Sequence, residues 1–184
     1  CTLILILFSL VLTLGMVRPT ASSAKNKASI QDMEIRNKEG ILAIGFFIEN
    51  CFTPKMKEAV FSGVPTTFHI RVNLENRGLL LFKSKLVNVT LSRTIKYDQL
   101  KKEFRLKLSE SPRGVHTTAS FEEAREWMSR VNDLPLIPAW RLDPDKEYVL
   151  KVKAELSKID LPVFLRYILF FVSLWDFETD WYTI

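Results

Sequence analysis

Three carboxylates at alternate positions, Asp176, Glu178 and Asp180, are the residues of this 184-residue chain that most directly invite a chemical reading. Their spacing matches the first three ligands of a calcium-binding EF-hand loop, in which oxygen donors converge on a hard cation. The match stops at Trp181, which stands where such a loop needs a glycine for its sharp turn. Acids alternating with Trp175, Phe177, Thr179 and Trp181 are explained more simply as the wet side of a terminal strand, the rings closing an edge of the core. No metal site is therefore expected.

The nucleophile and base candidates are equally sparse. Cys51 has no histidine near it in sequence and reads as a small buried hydrophobe at a strand end rather than a catalytic thiol. His69 falls on the outward side of a strand and His116 in a loop, so both are expected as solvated surface imidazoles. The sequence contains no glycine-rich phosphate loop, no Cys-x-x-Cys and no Gly-x-Ser-x-Gly. No catalytic residue and no cofactor site is assigned, and a small enzyme is the third of three readings.

What remains are surfaces. Residues 83–107 hold eight basic side chains, Lys83, Lys85, Arg93, Lys96, Lys101, Lys102, Arg105 and Lys107, against only Asp98 and Glu103. The plain explanation is a solvated sheet face, because lysine discourages unwanted strand pairing. The sharper one is a surface for an anionic partner, either phospholipid headgroups or an acidic protein patch. A formal net charge of +5 is too small to imply nucleic acid. A second candidate surface is the apolar tract of residues 162–175, with Phe164, Tyr167, Phe171 and Trp175, joined by Trp181. The tract is too short to span a bilayer, and a buried helix covering a sheet is its expected role. The alternative is an exposed apolar face for a membrane or a partner.

The elements that must position these residues follow from periodicity. Phe68, Ile70, Val72 and Leu74 alternate with His69, Arg71, Asn73 and Glu75, which predicts a strand with one buried and one wet face. Asn76-Arg77-Gly78 supplies a turn, and residues 79–97 return with Val87, Val89, Leu91 and Ile95 on one face, completing an antiparallel hairpin. Residues 30–36 predict a first strand, 37–40 a turn, and 41–48 a central strand covered on both sides because both alternating sets are apolar. Thr53 and Pro54 open a short helix that buries Met56, Ala59 and Val60 and ends at Gly63. Residues 103–108 predict another strand and 109–118 an exposed loop. A second helix starts at Ser120 with a capping box to Glu123, places Phe121, Ala124, Met128 and Val131 on one face, and is stopped by Asn132, Asp133 and Pro135. Asp143-Pro144-Asp145 is a turn, followed by an alternating strand through Tyr148, Leu150, Val152, Ala154 and Leu156.

At the N-terminus, residues 3–17 carry no charge, and Pro19 and the small residues 21–24 follow. This is the pattern of a secretory signal with cleavage after Ala24. The expected organisation is a signal peptide over residues 1–24, with a retained N-terminal anchor as the alternative, and a single domain over 25–184.

Four segments occur in a recognisable order: Gly63-Val64-Pro65-Thr66-Thr67-Phe68, Arg93-Thr94-Ile95-Lys96-Tyr97-Asp98-Gln99-Leu100, Leu161-Pro162, and Trp175-Asp176-Phe177-Glu178-Thr179-Asp180-Trp181-Tyr182. Together they resemble the bacterial family catalogued as domain of unknown function 4390. The resemblance implies a secreted or envelope protein of Gram-negative-type bacteria, whose gene often neighbours a membrane sensor kinase of a two-component system. It carries over no activity, cofactor or catalytic residue.

The expected fold is mainly β (α+β): an antiparallel β-sandwich, immunoglobulin-like in general shape, with two short inserted helices. The expected function is a non-catalytic, protein-binding accessory module in envelope sensing or assembly. Such a protein would be exported across the inner membrane and be periplasmic, or anchored facing the periplasm. Its partner would be an envelope protein such as a membrane sensor kinase. The alternative is a peripheral membrane or lipid-binding protein that uses the basic strands and the apolar C-terminal tract.

Overall fold

Phe68, Ile70, Val72 and Leu74 are all buried in the folded chain, on one side of an 11-residue strand. The computed structural model describes residues 27–77, 85–112, 114–157 and 178–184. The leader expected over residues 1–24, the turn glycine Gly78, residues 79–84 and the apolar tract 162–175 lie outside them.

In chain order the strands are β1 (Ser29–Lys38), β2 (Ile41–Glu49), β3 (Thr66–Asn76), β4 (Lys85–Asp98), β5 (Glu103–Leu108), β6 (Val115–Thr118), β7 (Arg130–Pro138), β8 (Tyr148–Leu156) and β9 (Tyr182–Thr183). Helix α1 spans Pro54–Phe61 and α2 spans Phe121–Ser129. A three-stranded sheet has the order β1-β2-β7, and a six-stranded sheet the order β6-β5-β4-β3-β8-β9. Every pairing is antiparallel. Ile44, Phe46 and Ile48 of β2 join Phe68, Leu91, Ile95, Phe104, Leu106 and Val152 of the larger sheet in a single apolar cluster. Met56 and Val60 of α1 and Ala124 and Met128 of α2 complete it. The result is the expected sandwich-like α+β fold, built on burial that a chain of this size supplies without a disulfide.

Local chemistry accounts for the element ends. Glu39 and Gly40 both take positive φ, 52° and 81°, which is the twist a two-residue hairpin turn requires. The Asn37 side chain accepts the Gly40 amide at 3.0 Å. Thr53 Oγ1 accepts from the Met56 amide, Pro54 begins α1, and Gly63 leaves the helix at φ 83°.

The structure corrects four expectations. The segment 109–118 is not wholly loop: Val115–Thr118 forms β6 and pairs with β5 at the edge of the sheet. Helix α2 stops at Ser129, earlier than its breakers suggest, and Val131 lies in β7 rather than on the helix face. Pro135 and Pro138 are accommodated because β7 is an edge strand, and its ladder shifts register beside Pro135. β2 is central to its sheet but less covered on one side than on the other: Ile41 is exposed and Gly45 and Phe47 are half-buried there, with only Ala43 buried.

The fourth correction concerns the C-terminus. Glu178 opposes Glu155, whereas Tyr182 opposes Val152, so four steps on one side match three on the other. That one-residue shift flips the alternation. Thr179 is buried and Trp181 is exposed, so they do not share a face.

Candidate functional site

The outward side chains of β3 are Thr67, His69, Arg71 and Asn73, each set by alternation opposite the buried row. Pairing places Ser92, Thr90 and Asn88 of β4 beside His69, Arg71 and Asn73. On the other flank β8 sets Glu155, Lys153 and Lys151 beside the same three residues. The outer face of the six-stranded sheet is therefore polar across its three central strands.

Its charges are partly neutralised in place. Arg71 Nη2 donates to Glu155 Oε1 at 2.5 Å, Lys151 Nζ to Glu75 Oε2 at 2.7 Å, and Lys153 Nζ to Glu178 Oε2 at 3.0 Å. Over the outward rows of β3 and β4 lies a depression of about 570 Å³, lined by His69, Arg71 and Asn73 from β3, Lys85, Asn88 and Thr90 from β4, and Trp181. His69 Nδ1 and Asn73 Oδ1 are buried there without a hydrogen-bond partner among the described residues. A buried polar atom left unpaired costs about 1–3 kcal/mol, which a bound group that satisfies it would return. The Trp181 indole is 43% exposed, with Lys153 Nζ 6.0 Å from its ring centre.

Further along the same face, Lys96 lies directly opposite Arg105, and Lys107 opposite Thr94. All three cations are exposed, and none is in an ion pair with a described residue. Like charges facing each other across a ladder oppose pairing. Of the basic residues singled out in the sequence, Lys96, Arg105 and Lys107 thus come together on one side of the sheet, and Lys85 lies on the same side at the far end of β4. Lys83, Phe164, Tyr167, Phe171 and Trp175 lie outside the described residues, and Trp181 joins the basic face.

Arg93 does not belong to that face. It points inward with its side chain 4% exposed, and its Nε donates to Glu110 Oε1 at 2.7 Å. Its Nη1 donates to the carbonyls of Trp127 and Arg130 at 2.9 and 2.7 Å, and Nη2 pairs with Glu110. Burial lowers the Arg93 pKa, and the Glu110 charge opposes that shift. The role is structural: a guanidinium satisfying orphan carbonyls at the end of α2.

The histidines are less solvated than their sequence positions suggest. His69 is half-buried at the floor of the depression. His116 is in β6 rather than a loop, with its Nε2 2.8 Å from Ser111 Oγ and its ring against Trp127. Cys51 is buried at the end of β2, and burial pushes its thiol up to about 12, so it is not a thiolate at neutral pH. Glu178 and Asp180 each face a lysine, Lys153 and Lys27, while Asp176 is outside the described residues. The depression was missed in the sequence because Lys85, His69 and Trp181 are brought together only by strand pairing; the polar alternation of β3 was its one local sign.

A family model described as "Domain of unknown function (DUF4390)" matches residues 25–184. No curated protein and no solved structure matches the chain.

Proposed function

Because the chain belongs to the DUF4390 family of domains of unknown function, we propose that it is a non-catalytic extracytoplasmic module that binds a protein partner in envelope sensing or assembly. The observation that carries this reading is the depression on the outer sheet face, where Arg71, Lys85 and Trp181 line the same space as His69 Nδ1 and Asn73 Oδ1, which have no hydrogen-bond partner among the described residues. Arginine and tryptophan anchors beside desolvated polar groups are the composition that protein interfaces favour. The partner surface is acidic, answering Lys85, Lys96, Arg105 and Lys107, and brings hydrogen-bonding side chains to the floor of the depression. Export fits the apolar leader and small-residue exit of residues 1–24, and a membrane sensor kinase fits the partner that the family resemblance implies.

The test uses the full chain as bait on the native envelope, in wild-type form and as Lys85→Ala/Trp181→Ala. Both positions are exposed, so the variant should melt as the wild type does. The expected result is an envelope protein retained by the wild type and lost by the variant. Identical retention by both would remove this face as the binding site.

A further inference from the structure

The turn that joins β4 to β5 has a different character from the sheet face behind it. Asp98 pairs with Glu103 as the last rung of the ladder, and the chain crosses over through Gln99, Leu100, Lys101 and Lys102. Asp98 Oδ1 accepts the amides of both Leu100 and Lys101 at 3.1 Å, and Lys102 takes φ 56°. The turn is thereby held in a shape that leaves Leu100 96% exposed. A leucine so placed gains nothing from the fold.

Around it the charge is mostly positive. Lys101 and Lys102 are exposed beside the leucine, and the facing Lys96 and Arg105 stand two rungs back from the last pair. The acids here are Asp98, whose carboxylate is engaged with the turn amides, and the half-buried Glu103. Just behind, Phe61 at the end of α1 is 39% exposed, with its ring centre 5.4 Å from Tyr97 and 5.2 Å from Phe104.

From this juxtaposition we infer that the β4–β5 tip docks on an anionic phospholipid bilayer. Leu100 enters the boundary between headgroups and acyl chains, while Lys101 and Lys102 meet the negative surface. A convex tip with one leucine buries too little area to hold a rigid protein surface, where stable contacts take roughly 800 Å² per partner. A fluid headgroup layer closes around the same tip and rewards each cation near it. The inference does not rest on the protein-binding reading, because Leu100 and the two lysines that follow it are not among the residues that line the depression.

The experiment places an environment-sensitive nitrobenzoxadiazole label at the tip of the full chain, as Cys1→Ser/Leu100→Cys; the buried Cys51 stays unlabelled. Vesicles of phosphatidylcholine alone are compared with vesicles of equal parts phosphatidylcholine and phosphatidylglycerol. The expected result is a blue-shifted, brighter label only on the anionic vesicles, reversed by high salt. Adding Lys101→Glu/Lys102→Glu should weaken the response about 25-fold or more, since each cation near such a surface is worth about fivefold. A label silent on anionic vesicles, equally responsive to neutral ones, or indifferent to charge reversal would overturn the proposal.

Discussion

Arg93 and Glu110 form an ion pair at the junction of the two sheets, with Nε to Oε1 at 2.7 Å and the arginine side chain 4% exposed. The same guanidinium donates to the carbonyls of Trp127 and Arg130, so one side chain of β4 fixes the end of α2, the start of β7 and the loop after β5. Arg93→Met keeps the apolar stem but strands Glu110 and both carbonyls. The expected loss is about 3–5 kcal/mol, the cost of breaking a buried pair from one side. Glu110→Gln keeps a hydrogen-bond acceptor and should cost about half as much. Denaturant melts of both variants measure the difference, and equal losses would show that the carbonyl contacts contribute little.

The facing of β3 is tested by two adjacent substitutions. Ile70 is completely buried, and Ile70→Asp places a carboxylate in the apolar cluster without a partner, so the chain should not fold. Arg71 is half-exposed and pairs with Glu155 at the surface, so Arg71→Ser should cost only about 0.5 kcal/mol. Circular dichroism and thermal melts of the two variants give the comparison.

Acid sensitivity of the three-stranded sheet should centre on Asp133. Its carboxylate bridges over β2, with Lys38 Nζ at 2.8 Å and Arg36 Nη1 at 3.2 Å. The Lys38 hydrogen bond, with further help from Arg36, lowers the Asp133 pKa from its ordinary value. A carboxylate depressed on folding stabilises the native state above its unfolded pKa of about 3.9, and the stabilisation is lost as pH falls through the lower folded value. Asp133→Asn should therefore reduce stability at neutral pH and flatten the melting-temperature profile below about pH 4. A variant profile parallel to that of the wild type throughout would contradict this assignment.

The C-terminal residues should divide into one that holds the fold and one that does not. Thr179 is 1% exposed, its amide donates to the Ala154 carbonyl at 2.8 Å, and its Oγ1 accepts from the Ala154 amide at 3.0 Å. Thr179→Val keeps the shape and leaves that amide unpaired, an expected loss of about 1–3 kcal/mol. Trp181→Ala should leave the melting temperature nearly unchanged, because the indole lies outside the core. Thermal melts decide, and a large loss at Trp181 would return the indole to a structural role.

Wherever the controlling interactions are local, the sequence by itself determined the outcome. The alternation through Phe68, Ile70, Val72 and Leu74 set a strand and its buried face, because side-chain direction in an extended chain has a period of two. Thr53, Pro54 and Ser120 marked helix starts, because a cap and the amides it satisfies are within three residues of each other. Tertiary structure decided what depends on distant partners. Arg93 and Lys96 look alike in a basic run, yet one is buried against α2 and the other faces solvent, since an odd number of steps along β4 separates them. Simple alternation puts Trp181 on the face of Thr179, but a one-residue shift against β8 turns it outward. The depression exists only because pairing of β3 with β4, and of the C-terminus with β8, sets His69, Lys85 and Trp181 around one space. Register between strands far apart in sequence is a property of the whole sheet, and no short stretch of the chain contains it.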